Sequence, residues 1–381
     1  MKLISLHIAI YLYDMLRLIL LLILSLLSLL AICRAPTYHL WLASIVVTEF
    51  PLILIAITSL ILFSGLWVNR YQVPGTILGL LALFLFLSPI VRAYLVSKEL
   101  KSSLDNVDEA VFSVSRMIMR SNNRSINPLE LSYTSYSDKD LNLDYYPSKV
   151  IGNRPCIIVV HGGSWKSGDN KQLPELNSYL AAAGYHVAAI NYRLAPEYKS
   201  PLPVDDVRAA ILFLRASSKK LKIDTTNFVL LGRSAGAQIA LLAAYTLNDP
   251  GIKGVVDFYG PADMVWGYSV PANPLVMNSR KVMEDYLGGK YEAVPRNYHK
   301  SSPVNYVMGT SVPTLIIHGN NDVLVAFEHS TRLKKKLIDN KVKHYFLSLP
   351  WATHGFDYTL NGPGGQLSTF AVKRFVEEVT K

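Results

Sequence analysis

Between Tyr13 and Val96 the chain carries two carboxylates, Asp14 and Glu49, in a stretch dominated by Leu, Ile, Phe and Val. A segment of that composition has almost no polar face to turn toward water, so it must be buried in lipid or in other apolar protein. A bilayer core takes about 20 mostly apolar helical residues. Three runs meet that length: Leu16–Cys33, with Arg17 near its start; Leu42–Trp67, interrupted by Glu49 and Pro51; and Gly75–Val96, in which Arg92 could snorkel to the interface. Three spans are therefore expected, with two or four as the alternative counts. The apolar material continues through all three runs and no small-residue cleavage site follows the first, which argues against a signal peptide. Residues 1–101 read as a transmembrane helical region whose expected role is an anchor. A lipid path or a partner-binding bundle is the alternative, and Glu49 would mark either one or simply sit in a break beside Pro51.

With three spans, the first loop and the segment after the third share a side. That side carries Arg34, Arg92, Lys98 and Lys101, against Lys2, Arg17 and Arg70 on the other. The positive-inside rule then places the large C-terminal part in the cytoplasm by a narrow margin.

Residues 102–381 have the mixed charge of a soluble domain. The chain has 381 residues and a formal net charge of +10, but no basic stripe or recognition motif for nucleic acid accompanies it. Its densest basic runs, Lys334–Lys336 and Lys219-Lys220 with Lys222, fall on or beside expected amphipathic helices and read as solvated faces. Two cysteines, Cys33 and Cys156, both in apolar surroundings, exclude a disulfide framework and a Cys/His metal site. Neither a metal nor a cofactor is expected.

The soluble part alternates strand and helix. Strands are expected at Leu129–Ser135, Leu141–Tyr146, Cys156–Val160, Val187–Asn191, Phe228–Leu231, Val255–Tyr259, Thr314–His318 and His344–Leu349. Helices are expected at Leu176–Ala183, Val204–Ala216, Ala235–Leu247, Glu328–Asp339 and Ser368–Thr380. Residues 263–312 break the rhythm. Continuous apolar strands alternating with helices imply an α/β fold with a mostly parallel sheet covered on both faces. Such a sheet puts its chemistry in the loops at the carboxyl ends of its strands.

Gly232-Arg233-Ser234-Ala235-Gly236 joins an expected strand to an expected helix, the context in which a G-x-S-x-G pattern acquires meaning. A tight turn there would project the serine oxygen, and glycines would let neighbouring backbone approach. A serine hydroxyl needs a base, and the base needs an orienting group. His354 in "ATHGFD" and Asp322 in "HGNNDVLV" both follow expected strands, which gives the chain order Ser, Asp, His. Asp357 is the rival acid by its nearness to His354. "VHGGSW", Val160–Trp165, follows a third strand. Its Gly162 and Gly163 amides, with that of Ala235, would form the hole for a developing oxyanion, each donor worth roughly 3 kcal/mol. His318 and His186 are expected to be structural, His161 to order its loop, and Asp205 and Asp206 to suit a helix N-terminus. No phosphate-loop or dinucleotide fingerprint is present.

"HGGSW", "NYRLAPE" (Asn191–Glu197), "GRSAG", "HGNND" and "THGF" together resemble the α/β-hydrolase superfamily, in particular its esterase/lipase branch related to hormone-sensitive lipase, over about residues 125–381. The resemblance implies an α/β-hydrolase fold with a small cap insertion near residues 263–312, where Trp266, Tyr268, Met277, Met283 and Tyr286 either line a pocket or serve as packing. It also implies a serine hydrolase acting on a small-molecule or lipid carboxylic ester. Two departures stand out: Ser164 replaces the third glycine of HGGG, and GRSAGA replaces GDSAGG. The HGGxW form is also similar to kynurenine formamidases, so an amidase with the same triad is the alternative. A catalytically silent binding protein is the second alternative, against which the presence of all three triad residues argues.

Overall fold

Apolar runs near the N-terminus form helices α1 (Lys2–Ser28), α2 (Tyr38–Glu49), α3 (Pro51–Phe63), α4 (Gln72–Ser102) and the short α5 (Val114–Ile118). The computed structural model describes residues 2–67, 70–102, 110–118, 126–136 and 139–381, with side chains from Tyr11 onward. The expected domain boundary at residue 102 abuts residues 103–109, outside the described residues. The chain divides into two units, Met1–Ser121 with Leu349–Leu367, and Asn122–Ser348 with Ser368–Lys381. The expected soluble domain therefore gives up a 19-residue segment, 349–367, to the helical unit.

In the first unit, α1 with the turn that follows it and α4 are long and apolar enough to cross a membrane. The expected span over residues 42–67 falls on a pair of helices, Tyr38–Glu49 and Pro51–Trp67, bent by 87°. Pro51 lacks an N–H and disfavours helical geometry in the residue before it, and Phe50 accordingly sits at φ −123°, ψ 39°. Side-chain contacts fix the directions of these helices. The buried Arg17 guanidinium lies where side chains at Gly65 and Gly75 would otherwise sit, and its Nε donates to the Ile61 carbonyl (3.2 Å). At the opposite end of α1, Arg92 Nη2 donates to Ala31 O (2.8 Å) and Ser88 Oγ (2.7 Å). Thus α1 and α4 run the same way, α3 returns between their ends, and α2 lies at the end marked by Ala31 and Arg92. Arg92 satisfies carbonyls there, and its helix continues to Ser102.

In the second unit the strands are β1 (Leu129–Ser135), β2 (Asp140–Tyr146), β3 (Arg154–Val160), β4 (His186–Ile190), β5 (Ile223–Arg233), β6 (Ile252–Phe258), β7 (Thr314–Gly319) and β8 (His344–Leu349). They form one sheet in the order β1-β2-β4-β3-β5-β6-β7-β8. β1 and β2 pair antiparallel, β2 joins β4 antiparallel, and β4, β3, β5, β6 and β7 are parallel. The helices are α6 (Pro174–Ala182), α7 (Leu202–Ala216), α8 (Ser218–Leu221), α9 (Ala235–Thr246), α10 (Met264–Ser269), α11 (Ser279–Leu287), α12 (Pro295–Lys300), α13 (Glu328–Asp339) and α14 (Pro363–Val379). β3, β4 and β6 are almost wholly buried, as continuous apolar strands covered on both faces should be. The register pairs Val160 with Gly232, Gly232 with Asp257, and Phe258 with Ile317. The loops leaving β3, β5, β6 and β7 therefore emerge at one edge of the sheet.

Residues 263–312 contain α10, α11 and α12. Of the residues weighed as pocket lining, Met283 and Tyr286 are buried in the main core, while Trp266 and Tyr268 line an open cleft of about 1060 Å³ together with Arg280, Glu284 and Arg332.

Candidate active site

β5 runs straight into Ser234, and α9 begins at the next residue. Ser234 holds φ 52°, ψ −121°, a conformation that non-glycine residues rarely adopt. Its neighbours allow this only because they are small. A Cβ at Gly232 would strike Gly236 O and the Ala237 backbone, and one at Gly236 would strike the Val160 and His161 carbonyls. The turn is fastened by Ser234 N donating to Phe258 O (2.9 Å) and Ala237 N donating to Ser234 O (2.9 Å).

The loop after β3 packs on this turn. A Cβ placed on Gly162 would lie 3.4 Å from Ser234 Cβ. Gly163, Ser164 and Trp165 have successive positive φ values of 119°, 55° and 59°, and the Lys166 and Ser167 amides return to Gly163 O (both 3.0 Å). Gly162 N–H donates to Gln172 Oε1 (2.8 Å), so it is already engaged. Among the described residues no acceptor takes the N–H of Gly163, Ser164 or Ala235.

The loop is held from behind. Its His161 stacks on Tyr192 (4.3 Å between ring centroids) and accompanies the Gly162 carbonyl through Nδ1 (2.7 Å). Burial lowers the pKa of His161, which keeps the ring neutral. Trp165 stacks on Tyr286 (4.5 Å) and donates through Nε1 to Gln238 Oε1 (3.0 Å). Gln238 Nε2 in turn donates to Ser301 O (2.8 Å), tying α9, the loop and the 263–312 insertion together. Gln238 and Gln172 were not singled out from sequence, and the only hint of Gln238 is its place one helical turn after Ser234. Asp206, expected to serve the macrodipole, is instead buried and paired with Arg193 (2.8 Å).

Asp322 lies beyond β7 and is buried. Its Oδ1 accepts from Leu324 N (2.8 Å) and Val325 N (2.9 Å), and its Oδ2 lies 3.1 Å from His318 Nε2. His318 Nδ1 meets Ser330 Oγ (2.6 Å). These contacts hold the acid in one orientation, which is what an orienting carboxylate requires. Asp257, at the end of β6, is fully buried; burial pushes its carboxyl up to about 7, opposed by the bond from Gly260 N–H (2.7 Å). His354 belongs to the first unit, in the turn after β8, followed by Gly355 at φ +82°. The structure thus brings Gly162, Gly163, Ser234 and Ala235 together in the second unit, holds Asp322 in that unit beyond β7, and carries His354 on the 349–367 segment.

A sheet of this order, with a strained strand–serine–helix turn beside a glycine loop, is the α/β-hydrolase architecture of esterases and lipases. The chain belongs to the BD-FAE family, whose model matches residues 143–337. Esterase LipC of Mycobacterium tuberculosis is 30% identical over 256 residues, covering 62% of this chain and 62% of that protein. Esterase LipQ of the same organism is 28% identical over 225 residues, covering 55% of this chain and 52% of that protein. The chain thus spans between half and two thirds of these relatives' length. Among solved structures, a bacterial heroin esterase superposes with a TM-score of 0.59 at 19% identity, covering 70% of this chain and 89% of that one. An acetyl ester-xyloside bifunctional hydrolase from Caldicellulosiruptor lactoaceticus gives 0.57 at 22% identity, covering 66% and 97%. At such identities the two structures speak for the fold.

Proposed function

We propose that this protein is a membrane-bound serine hydrolase that cleaves carboxylic esters through an acyl-enzyme. The observation that carries the reading is the strained turn at Ser234, held between glycines at the carboxyl end of β5. Ser234 attacks the ester carbonyl. His354 accepts its proton and returns it to the leaving alcohol, and Asp322 holds the imidazole in the productive tautomer. Water, activated by the same histidine, then releases the acid. Gly163 and Ala235 donate to the oxyanion, joined by the Ser164 amide, and Gly162 serves the close approach of its loop to the serine. This changes the meaning of Ser164: its backbone takes part, and its hydroxyl does not.

The esterases among the relatives support ester over amide. Helices α1 and α4, with α3 running between their ends, support an integral, multi-pass attachment. The basic residues Arg34, Arg92, Lys98 and Lys101 support a cytoplasmic catalytic domain.

A series of p-nitrophenyl esters of rising chain length tests the mechanism with wild type, Ser234→Ala and Ser164→Ala. Wild type should turn over at least one ester. Ser234→Ala should lose roughly three orders of magnitude or more, and Ser164→Ala should keep most activity. Equal turnover by wild type and Ser234→Ala would refute the nucleophile. Preferred cleavage of an N-formyl amide over every ester would make the protein an amidase.

A further inference from the structure

The segment that carries His354 packs in the helical unit, and α2 supplies two of its fixings. Trp41 Nε1 donates to the backbone carbonyl of His354 itself (3.0 Å), and the two rings lie 6.4 Å apart. Glu49, the last residue of α2, is 2% exposed and accepts through Oε2 from Gly364 N (2.9 Å) and Gly365 N (3.4 Å). Those two amides sit in the first turn of α14. A side chain at Gly362 would collide with Glu49, so the chain there is shaped around this carboxylate. A third fixing comes from α4, whose Arg92 Nη1 donates to Pro350 O (3.4 Å). The segment is pinned at residues 350, 354 and 364–365, all from helices of the apolar region.

An anchor requires none of this. A carboxylate in so apolar a region is costly unless it has a task, and an indole N–H aimed at one particular carbonyl fixes the direction in which the next side chain leaves. We propose that Trp41 and Glu49 of α2 are positioning residues for His354, so that the membrane region sets the placement of the catalytic base. The proposal rests on His354 being that base. α2 is bent by 87° from α3 at the break before Pro51, and its Val47 and Trp41 pack with Ala82 and Phe86 of α4, so the clamp on the His354 segment is part of the core of the helical unit.

The test uses the full chain in lipid nanodiscs with four variants. Trp41→Phe keeps an aromatic ring and removes the N–H, Glu49→Ala removes the acceptor, Glu49→Gln keeps an acceptor oxygen, and His354→Ala checks the base. Hydrogen exchange over residues 350–365 reads the clamp without reference to catalysis. Exchange should accelerate in Trp41→Phe and Glu49→Ala. kcat should fall about 10- to 100-fold with KM within twofold, the scale expected when a catalytic group shifts by about 1 Å. Glu49→Gln should restore most of the loss. Unchanged exchange in both variants overturns the clamp. Faster exchange with unchanged kcat overturns its link to catalysis. Turnover by His354→Ala would refute the base assignment instead, and the exchange data would still decide whether α2 holds the segment.

Discussion

Ser234→Gly should make the protein more stable than Ser234→Ala, and on the proposed mechanism both should be inactive. Ser234 sits at φ 52°, ψ −121°, a region that costs a residue bearing a Cβ about 1–3 kcal/mol. Alanine keeps the Cβ and therefore keeps the strain. Glycine relieves it, but its freer unfolded chain takes back about 0.4–1 kcal/mol. The difference is about 0–2.6 kcal/mol, with midpoints giving about 1.3 kcal/mol, in favour of glycine, a Tm shift of a few degrees for a domain of this size. Parallel thermal unfolding in one detergent, with neither variant binding substrate productively, isolates the backbone contribution. Equal Tm values, or a lower one for glycine, would mean that the turn is not strained and that no stored conformational energy projects the serine oxygen.

Two further outcomes follow from the same region. Gly236→Ala should lower Tm by several degrees and reduce the folded yield, because the added methyl meets the Val160 and His161 carbonyls; a neutral result would show that the two loops are not in close contact. Asp257→Asn should change the pH dependence of stability. The native carboxyl titrates near 7 against about 3.9 in an unfolded chain, so the native state holds a proton that the unfolded state releases. Its stabilising share is complete below about pH 4 and is lost as pH rises through 7. Wild type minus variant Tm should therefore fall across that window, and a flat difference would show that Asp257 ionises normally.

Much of the second unit was legible because its central strands β3, β4 and β6 are buried on both faces and read as apolar runs; β1, β8 and α13 also have the expected ends, although β1 is largely exposed. β5 begins earlier than expected, at Ile223, because Asp224, Thr226 and Asn227 satisfy one another's polar groups and allow the strand to extend through a polar stretch. α14 begins at Pro363 rather than Ser368 for a different reason. Gly364 and Gly365 are poor helix formers, and the carboxylate that accepts from their amides is more than 300 residues away in sequence. No local pattern carries that information. The same holds for Gln172, whose side chain takes the Gly162 amide from ten residues downstream in an irregular loop. Ser234, Asp322 and His354 do follow strands β5, β7 and β8 as expected, whereas the grip of α2 on the histidine segment leaves no periodic trace.

That grip has a consequence for biogenesis. Trp41 and His354 are 313 residues apart in the chain. At a synthesis rate of about 5–20 residues per second, roughly 15–60 s separate their emergence. The apolar helices are made early, but their unit is not complete until the segment 349–367 arrives. The first unit therefore waits for almost all of the second to be made before it can close, and on the proposed mechanism Ser234 has no base until then.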